Sequence, residues 1–299
     1  MAATQRILFI TATRIGDAVM TTGVLKALVD QYPDARFTIA CGPLAAPLFA
    51  AVPRLERVIP MRKRVLDLHW LQLWNDVRNT HWNLVVDLRR SLIAYTLRAD
   101  RRCVLGAANP RLPRVATLPA VIGLDRPLAP FVFTDERHSA AAAARIPDGP
   151  PVLALGPIAS LREKTWAQQR FRTLVRLLTA SGACCEGWRV AAFGGPGDEA
   201  DVAAVLTGVP ANARIAVVAE PDLLTVHAAL ARCRVFIGND SCLSHLAAAA
   251  GVPTLAVFGD TDPERYAPWG GVALRGPGGD LQALTAETVA ERVTKLLAA

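Results

Sequence analysis

Short, unbroken apolar runs recur along this chain, and each gives way to a turn and then to a segment with helical spacing. Residues 6–12, RILFITA, form the first run, and apolar side chains follow at Val19, Val24, Leu25 and Leu28. RFTIACGP (36–43), NLVVDLR (83–89) and RCVLGA (102–107) continue the series. Strands that alternate with helices are covered on both faces, so they read as continuous apolar runs rather than as alternating ones. A second series begins at PVLALGP (151–157), passes through WRVAAFGGPGDEADVAAVLTG and FIGNDSCLSHLAAAAGVPTLAVF, and closes with TAETVAERVTKLLAA. Between the two lies a proline-rich stretch, LPRVATLPAVIGLDRPLAPFVFTDE, which reads as a connection, and then a short helical pattern, ERHSAAAAARI. The expectation is an α/β protein with two Rossmann-like parallel-sheet domains, 1–148 and 149–299, facing each other across a cleft. The length of 299 residues suits two domains of about 150 each. Ligands of such folds bind at the carboxyl ends of the strands.

The formal net charge of +7 and the pI near 9.4 favour an anionic partner. No basic arm interleaved with aromatic residues is present, so a phosphorylated substrate or an anionic lipid surface is expected rather than nucleic acid. The six cysteines (Cys41, Cys103, Cys184, Cys185, Cys233 and Cys242) show no metal-type spacing. Adjacent Cys184 and Cys185 make a poor disulfide pair, so reduced thiols are expected. The apolar run at Ile7–Ile10 is too short for a signal sequence, and every stretch of about 18 residues is interrupted by Pro, Gly or charge. Attachment to a membrane surface stays open.

Candidate site residues cluster at the predicted strand ends. Asp17, in TATRIGDAVMTT, sits where the first strand turns into the first helix. It either caps that helix or faces substrate as a general base, because the positive end of a helix keeps a carboxylate ionised. One glycine there is not a dinucleotide fingerprint, which argues against a nicotinamide enzyme. In LGPIASLREKTW, Ser160, Arg162 and Lys164 follow a strongly aliphatic strand. They form either a solvated loop or a phosphate site in which Lys164 neutralises a leaving diphosphate in place of a metal. In FGGPGDEA, Asp198 or Glu199 either caps a helix or binds a sugar hydroxyl.

Asn239-Asp240-Ser241-Cys242, with His245 one turn on, places more polar chemistry at a strand-to-helix turn than capping needs. The N–H groups of that helix start are available to a phosphate, and Ser241 adds a hydroxyl. Asp240 is placed to grip sugar hydroxyls, and His245 is either a packed histidine or part of the anion site. Asp260-Thr261-Asp262 has an acid-x-acid spacing that can hold Mg²⁺. No third carboxylate lies nearby in sequence and Pro263 follows, so it reads as a turn, with no metal expected. Arg62, Lys63 and Arg64 are followed by Trp70 and Trp74, four residues apart. This is either a solvated turn before a helix or a platform for an anionic acceptor at a membrane face, the tryptophans lying at the interface. Arg89 and Arg90 follow another strand and point to the same acceptor.

Together ILFITATRIGDAVMTTGVLKALVDQYPDA, GPIASLREKTW, FGGPGDE and GNDSCLSHLAAAAGVPTLAVFGDTDP resemble the bacterial heptosyltransferases of lipopolysaccharide core synthesis, glycosyltransferase family 9. The resemblance runs in order through both halves. It implies the two-domain GT-B fold, an N-terminal acceptor half and a C-terminal donor half. It also implies metal-independent, cofactor-free transfer of heptose, with inversion, from ADP-heptose to a Kdo–lipid A or growing core acceptor. The place implied is the cytoplasmic face of the inner membrane. On this resemblance Asp17 is the base, Ser160 and Lys164 lie at the diphosphate, and Glu199 at the ribose. Asp240, Ser241, Cys242 and His245 lie at the donor. Arg62, Lys63, Arg64, Arg89 and Arg90 are left to the acceptor. Cys242 and Asp260 depart from the family pattern of Gly and Pro, and Arg89-Arg90 replaces its usual Gln-Gly. Rival readings are the same fold with another nucleotide-sugar, or a catalytically idle nucleotide-binding protein.

Overall fold

A computed structural model of the chain describes residues 5–63, 65–106, 112–218, 220 and 222–298. The chain divides into two compact units, Met1–Phe133 and Thr134–Ala299.

The first unit is built on five parallel strands, β1 (Arg6–Ile10), β2 (Arg36–Cys41), β3 (Leu55–Pro60), β4 (Trp82–Asp87) and β5 (Ala99–Val104), in the order β3-β2-β1-β4-β5. The apolar run at 6–12 becomes the central strand, with Ile7, Leu8, Phe9 and Ile10 fully buried. Helix Ile15–Gln31 follows it directly. Gly23 in that helix is required by close approach, since a Cβ there would stand 2.5 Å from the Ala129 carbonyl oxygen. Phe131 N donates to Thr22 Oγ1 at 2.9 Å. The proline-rich stretch expected as a connection is therefore laid along this helix, as part of the first unit.

The second unit has six parallel strands, β6 (Val152–Gly156), β7 (Arg189–Phe193), β8 (Arg214–Val217), β9 (Val235–Asn239), β10 (Thr254–Phe258) and β11 (Val272–Arg275), in the order β11-β10-β9-β6-β7-β8. Helix Gln168–Thr179 buries Phe171, Leu174, Val175 and Leu178 on one face, at the spacing that a 3.6-residue turn demands. Those side chains join Leu153, Leu155, Val190 and Val235 in the core of the unit.

The boundary falls at Phe133/Thr134, not at 148/149 as expected. Helix Glu136–Arg145 packs on helix Leu223–Leu230 of the second unit. Asp135 caps its start, and the His138 ring lies 2.7 Å from Asp135 and 3.4 Å from Asp222, which caps the other helix. Two strands were not anticipated, β3 and β11. Both are sheet edges, and LERVIP and VALR are largely exposed or half-buried. Edge strands lack the continuous apolar run that marks a central parallel strand. Among the described residues no helix is long and apolar enough to cross a membrane.

In both sheets the winding direction reverses once, between β1 and β4 in the first and between β6 and β9 in the second. At such switch points the flanking loops diverge and leave a crevice at the carboxyl ends of the strands.

Candidate active site

In the first unit, the loops after β1 and β4 carry the expected residues. Thr11 at the end of β1 shares a buried 2.8 Å hydrogen bond with Thr21, whose hydroxyl also donates to the Ala18 carbonyl. This ties the loop to the helix and sets the helix's first turn. Asp17 lies in that turn, partly buried. It does not cap the helix: Arg14 occupies the capping position, with no side-chain cap bond. Asp17 Oδ1 instead meets Arg114 Nη1 at 3.1 Å.

After β4 the chain turns around a fully buried carboxylate. Asp87 accepts from Arg89 N at 2.7 Å, from Ser91 N at 2.7 Å and from Ser91 Oγ at 2.6 Å. Burial raises the Asp87 pKa, while the bonds from Ser91 and Arg89 pull it back. This turn carries both expected arginines. Arg89 lies over the Trp70 ring at 5.5 Å, and exposed Arg90 takes a left-handed φ of 57°. A side chain in that conformation costs roughly 1–2 kcal/mol, which glycine would not incur. Arg62 and Lys63 are exposed after β3, and Arg64 lies outside the described residues. Trp70 and Trp74 do not stand out as interface residues. They are half-buried against the core of the first unit, and Leu68 and Leu71 of the same helix are the exposed ones.

In the second unit the loops after β6 and β9 meet. Lys164 Nζ lies 2.6 Å from Asp240 Oδ2, with both side chains mostly covered. Buried Asn239 joins the same two loops through its amide. Its Oδ1 accepts from Trp166 N at 3.0 Å and its Nδ2 donates to the Pro157 carbonyl at 2.7 Å. Trp166 is wholly buried, stacks edge-on against Phe171 at 5.0 Å, and donates its indole N–H to the Leu284 carbonyl. Ser244 Oγ holds the Asn239 carbonyl at 2.7 Å. The loop bearing Lys164 is thereby clamped to the turn bearing Asp240 and Ser241.

Ser241 stands at the capping position of helix Cys242–Ala249 but makes no cap bond. Its hydroxyl is buried and, among the described residues, has no hydrogen-bond partner. A buried hydroxyl at a helix start, with an ammonium in the adjoining loop, is suited to an anionic ligand. Cys242 opens the helix, and burial raises its thiol pKa against the pull of the Cys242 and Leu243 N–H groups. His245 is buried one turn further in. Ser160 is exposed in the loop after β6.

The glycine loop after β7 is tied by its own acids. Asp198 Oδ2 accepts from Gly195 N at 2.8 Å, and exposed Glu199 accepts from Gly197 N at 3.3 Å. Asp262 accepts from Glu264 N and so caps a short helical turn. Among the described residues no group of three His, Cys, Asp or Glu side chains gathers as a metal site.

Three organising residues were not anticipated: Arg114, Asp87 and Asn239. Only Asn239 left a sequence signal, as an amide ending an apolar run where one cap would have sufficed.

The second unit thus brings Lys164, Asp240 and the buried Ser241 hydroxyl to the carboxyl end of its sheet, and the first unit carries Asp17 in the loop-to-helix turn after β1. A family model for glycosyltransferase family 9 (heptosyltransferase) matches residues 94–275. That is more than half of the chain, and the chain belongs to this family of glycosyltransferases. Lipopolysaccharide heptosyltransferase 1 of Pseudomonas aeruginosa is 27% identical over 292 residues, covering 87% of this chain and 80% of the relative. A glycosyl transferase family 9 structure from Veillonella parvula superposes with a TM-score of 0.80 at 18% identity, covering 100% of this chain and 99% of the other. The E. coli heptosyltransferase WaaC with ADP-2-deoxy-2-fluoro heptose gives a TM-score of 0.73 at 19% identity, covering 97% and 99%. These likenesses bear out the GT-B class of two Rossmann-like parallel-sheet domains.

Proposed function

We propose that the chain moves heptose from ADP-L-glycero-D-manno-heptose to a lipid A/Kdo core acceptor, with inversion, at the cytoplasmic face of the inner membrane. The observation that carries this reading is the Lys164–Asp240 pair beside the orphaned Ser241 hydroxyl at a helix start. The names of the curated relatives support the lipopolysaccharide setting, and the WaaC complex supports an ADP-sugar as donor. In the proposed reaction Asp17 takes the proton of an acceptor hydroxyl. The hydroxyl oxygen bonds to the anomeric carbon from the face opposite the diphosphate. The anomeric C–O bond breaks, and ADP leaves with the electron pair. Lys164, Ser160, Ser241 and the N–H groups at Cys242 would receive that charge. Glu199 would hold the ribose, with Asp240 and His245 on the sugar side. Arg114 would fix one oxygen of Asp17 and leave the other for the acceptor.

The test is to incubate the protein with ADP-heptose and a deacylated Kdo-containing acceptor and to read product mass and anomeric configuration. A heptosylated product of inverted configuration is expected, and turnover should persist in excess EDTA. Transfer from a different nucleotide-sugar alone would favour the rival donor, and activity lost to EDTA but restored by Mg²⁺ or Mn²⁺ would refute the role given to Lys164.

Arg62, Lys63, Arg64, Arg89 and Arg90 are assigned to the acceptor, whose phosphates and acidic sugars are anionic. Changing residues 62–64 to glutamine should raise the acceptor KM by up to about a hundredfold, at roughly 1 kcal/mol per cation near an anionic surface. The effect should be largest at low salt. Donor titrations should not move, and a weaker ADP-sugar affinity with normal acceptor KM would reverse the assignment of the two halves.

A further inference from the structure

Four large apolar side chains stand almost bare on the first unit: Leu44 (73% exposed), Val65 (81%), Leu66 (88%) and Leu92 (82%). Single exposed leucines are ordinary. These four share one location. Leu44 follows β2, Val65 and Leu66 follow β3, and Leu92 follows β4, so all emerge at the carboxyl end of one parallel sheet. Asp17 follows β1 at that same end. Cations are interleaved with them: exposed Arg62 and Lys63 precede Val65, and exposed Arg90 precedes Leu92.

The most exposed tip is also strained. Leu66 and Asp67 take consecutive left-handed φ values of 55° and 54°. A bulky non-glycine residue rarely adopts that conformation, and where it persists the strain tends to mark a functional segment. Here the strained turn holds Val65 and Leu66 out in solvent, although the same unit has a core that they do not join.

Apolar tips set among cations match one surface, an anionic bilayer. Headgroup charge attracts the cations, and the tips enter the boundary between headgroups and acyl chains. We infer that the β-carboxyl rim of the first unit is a membrane-insertion surface, with Val65 and Leu66 as its wedge and Arg62, Lys63 and Arg90 as its headgroup contacts. This rests on the acceptor reading above and extends it. The rim would present the end of the sheet that bears Asp17 to the membrane in which a lipid-linked acceptor is anchored. The added content is an apolar, salt-resistant component of binding, distinct from the salt-sensitive pull of the cations.

The experiment uses the full chain and vesicles of phosphatidylethanolamine and phosphatidylglycerol. Co-sedimentation is measured at low and high salt for the native protein, a Val65→Ser/Leu66→Asn double variant and an Arg62→Gln/Lys63→Gln double variant. Asn tolerates the left-handed φ at 66, and both sites are exposed, so folding should be kept. The native protein should retain part of its binding at high salt. The apolar variant should lose that part, with partitioning at least about tenfold weaker, as expected for removing two buried aliphatic side chains. The cation variant should lose mainly the low-salt increment. Native binding abolished by high salt, or high-salt binding unchanged in Val65→Ser/Leu66→Asn, would overturn the inference. A dimer in gel filtration that this variant dissolves would show the rim covered by a second copy instead. Heptosyl transfer to a deacylated acceptor without vesicles should be the same for native protein and apolar variant. Failure of that transfer in the native protein would strike the proposed function itself, independently of the vesicle result.

Discussion

Asp17→Asn is expected to lower turnover by about two to four orders of magnitude, the span over which general-base loss is usually felt. The amide keeps the size of the carboxylate and still offers an oxygen to Arg114, which lies 3.1 Å from Asp17 Oδ1. What it loses is the capacity to take a proton. Because Asp17 belongs to the first unit, affinity for ADP should be unchanged. Thermal shift with ADP checks this, since ligand bound to the native state raises the melting point by mass action. Near-normal turnover in Asp17→Asn would mean that another group accepts the proton.

Lys164→Met should cost about a hundredfold to a thousandfold in turnover, comparable to removing one preorganised donor from a developing negative charge. Methionine keeps an unbranched stem in the loop but removes the ammonium. It also leaves Asp240, 2.6 Å away in the native protein, without its counter-charge. An unpaired, largely covered carboxylate is destabilising in its own right. The double variant Lys164→Met/Asp240→Asn separates the two effects. If Lys164 served only to neutralise Asp240, the double variant would be no worse than Asp240→Asn alone. If it serves the leaving diphosphate, the double variant falls well below Asp240→Asn.

The architecture was legible because its central strands are apolar throughout and its helices keep a regular spacing. The edge strands β3 and β11 escaped, since half-exposed segments such as LERVIP carry no such run. The reading of Asp240, Ser241 and Lys164 came from an excess of polar residues at strand ends, and the structure brings these together. The partnerships that organise them were hidden by distance along the chain. Asn239 reaches backbone atoms 73 and 82 residues away. Asp17 and Arg114 are likewise remote in sequence, and nothing local to either announces the other. The domain boundary was displaced for the same reason: the helix after Asp135 is claimed by His138 and Asp222, a contact that proline content cannot reveal. Trp70 and Trp74 were misjudged because helical spacing says which side chains share a face, not whether that face turns inward.

The amide of Asn239 has a consequence for the thermodynamics of donor capture. Flexible loops must be immobilised when a ligand arrives, and the lost conformational freedom weakens affinity. Here the loop after β6 and the turn after β9 are already joined by one buried side chain with donor and acceptor both used. Their ordering is completed when the second unit folds, so at the proposed donor site binding would begin from a rigid cradle. Affinity there would depend on the fit of the nucleotide-sugar rather than on the length or composition of the loops. A sequence can therefore vary at exposed loop positions such as Leu161 and Arg162 without loosening the cradle, as long as the amide that spans it is kept.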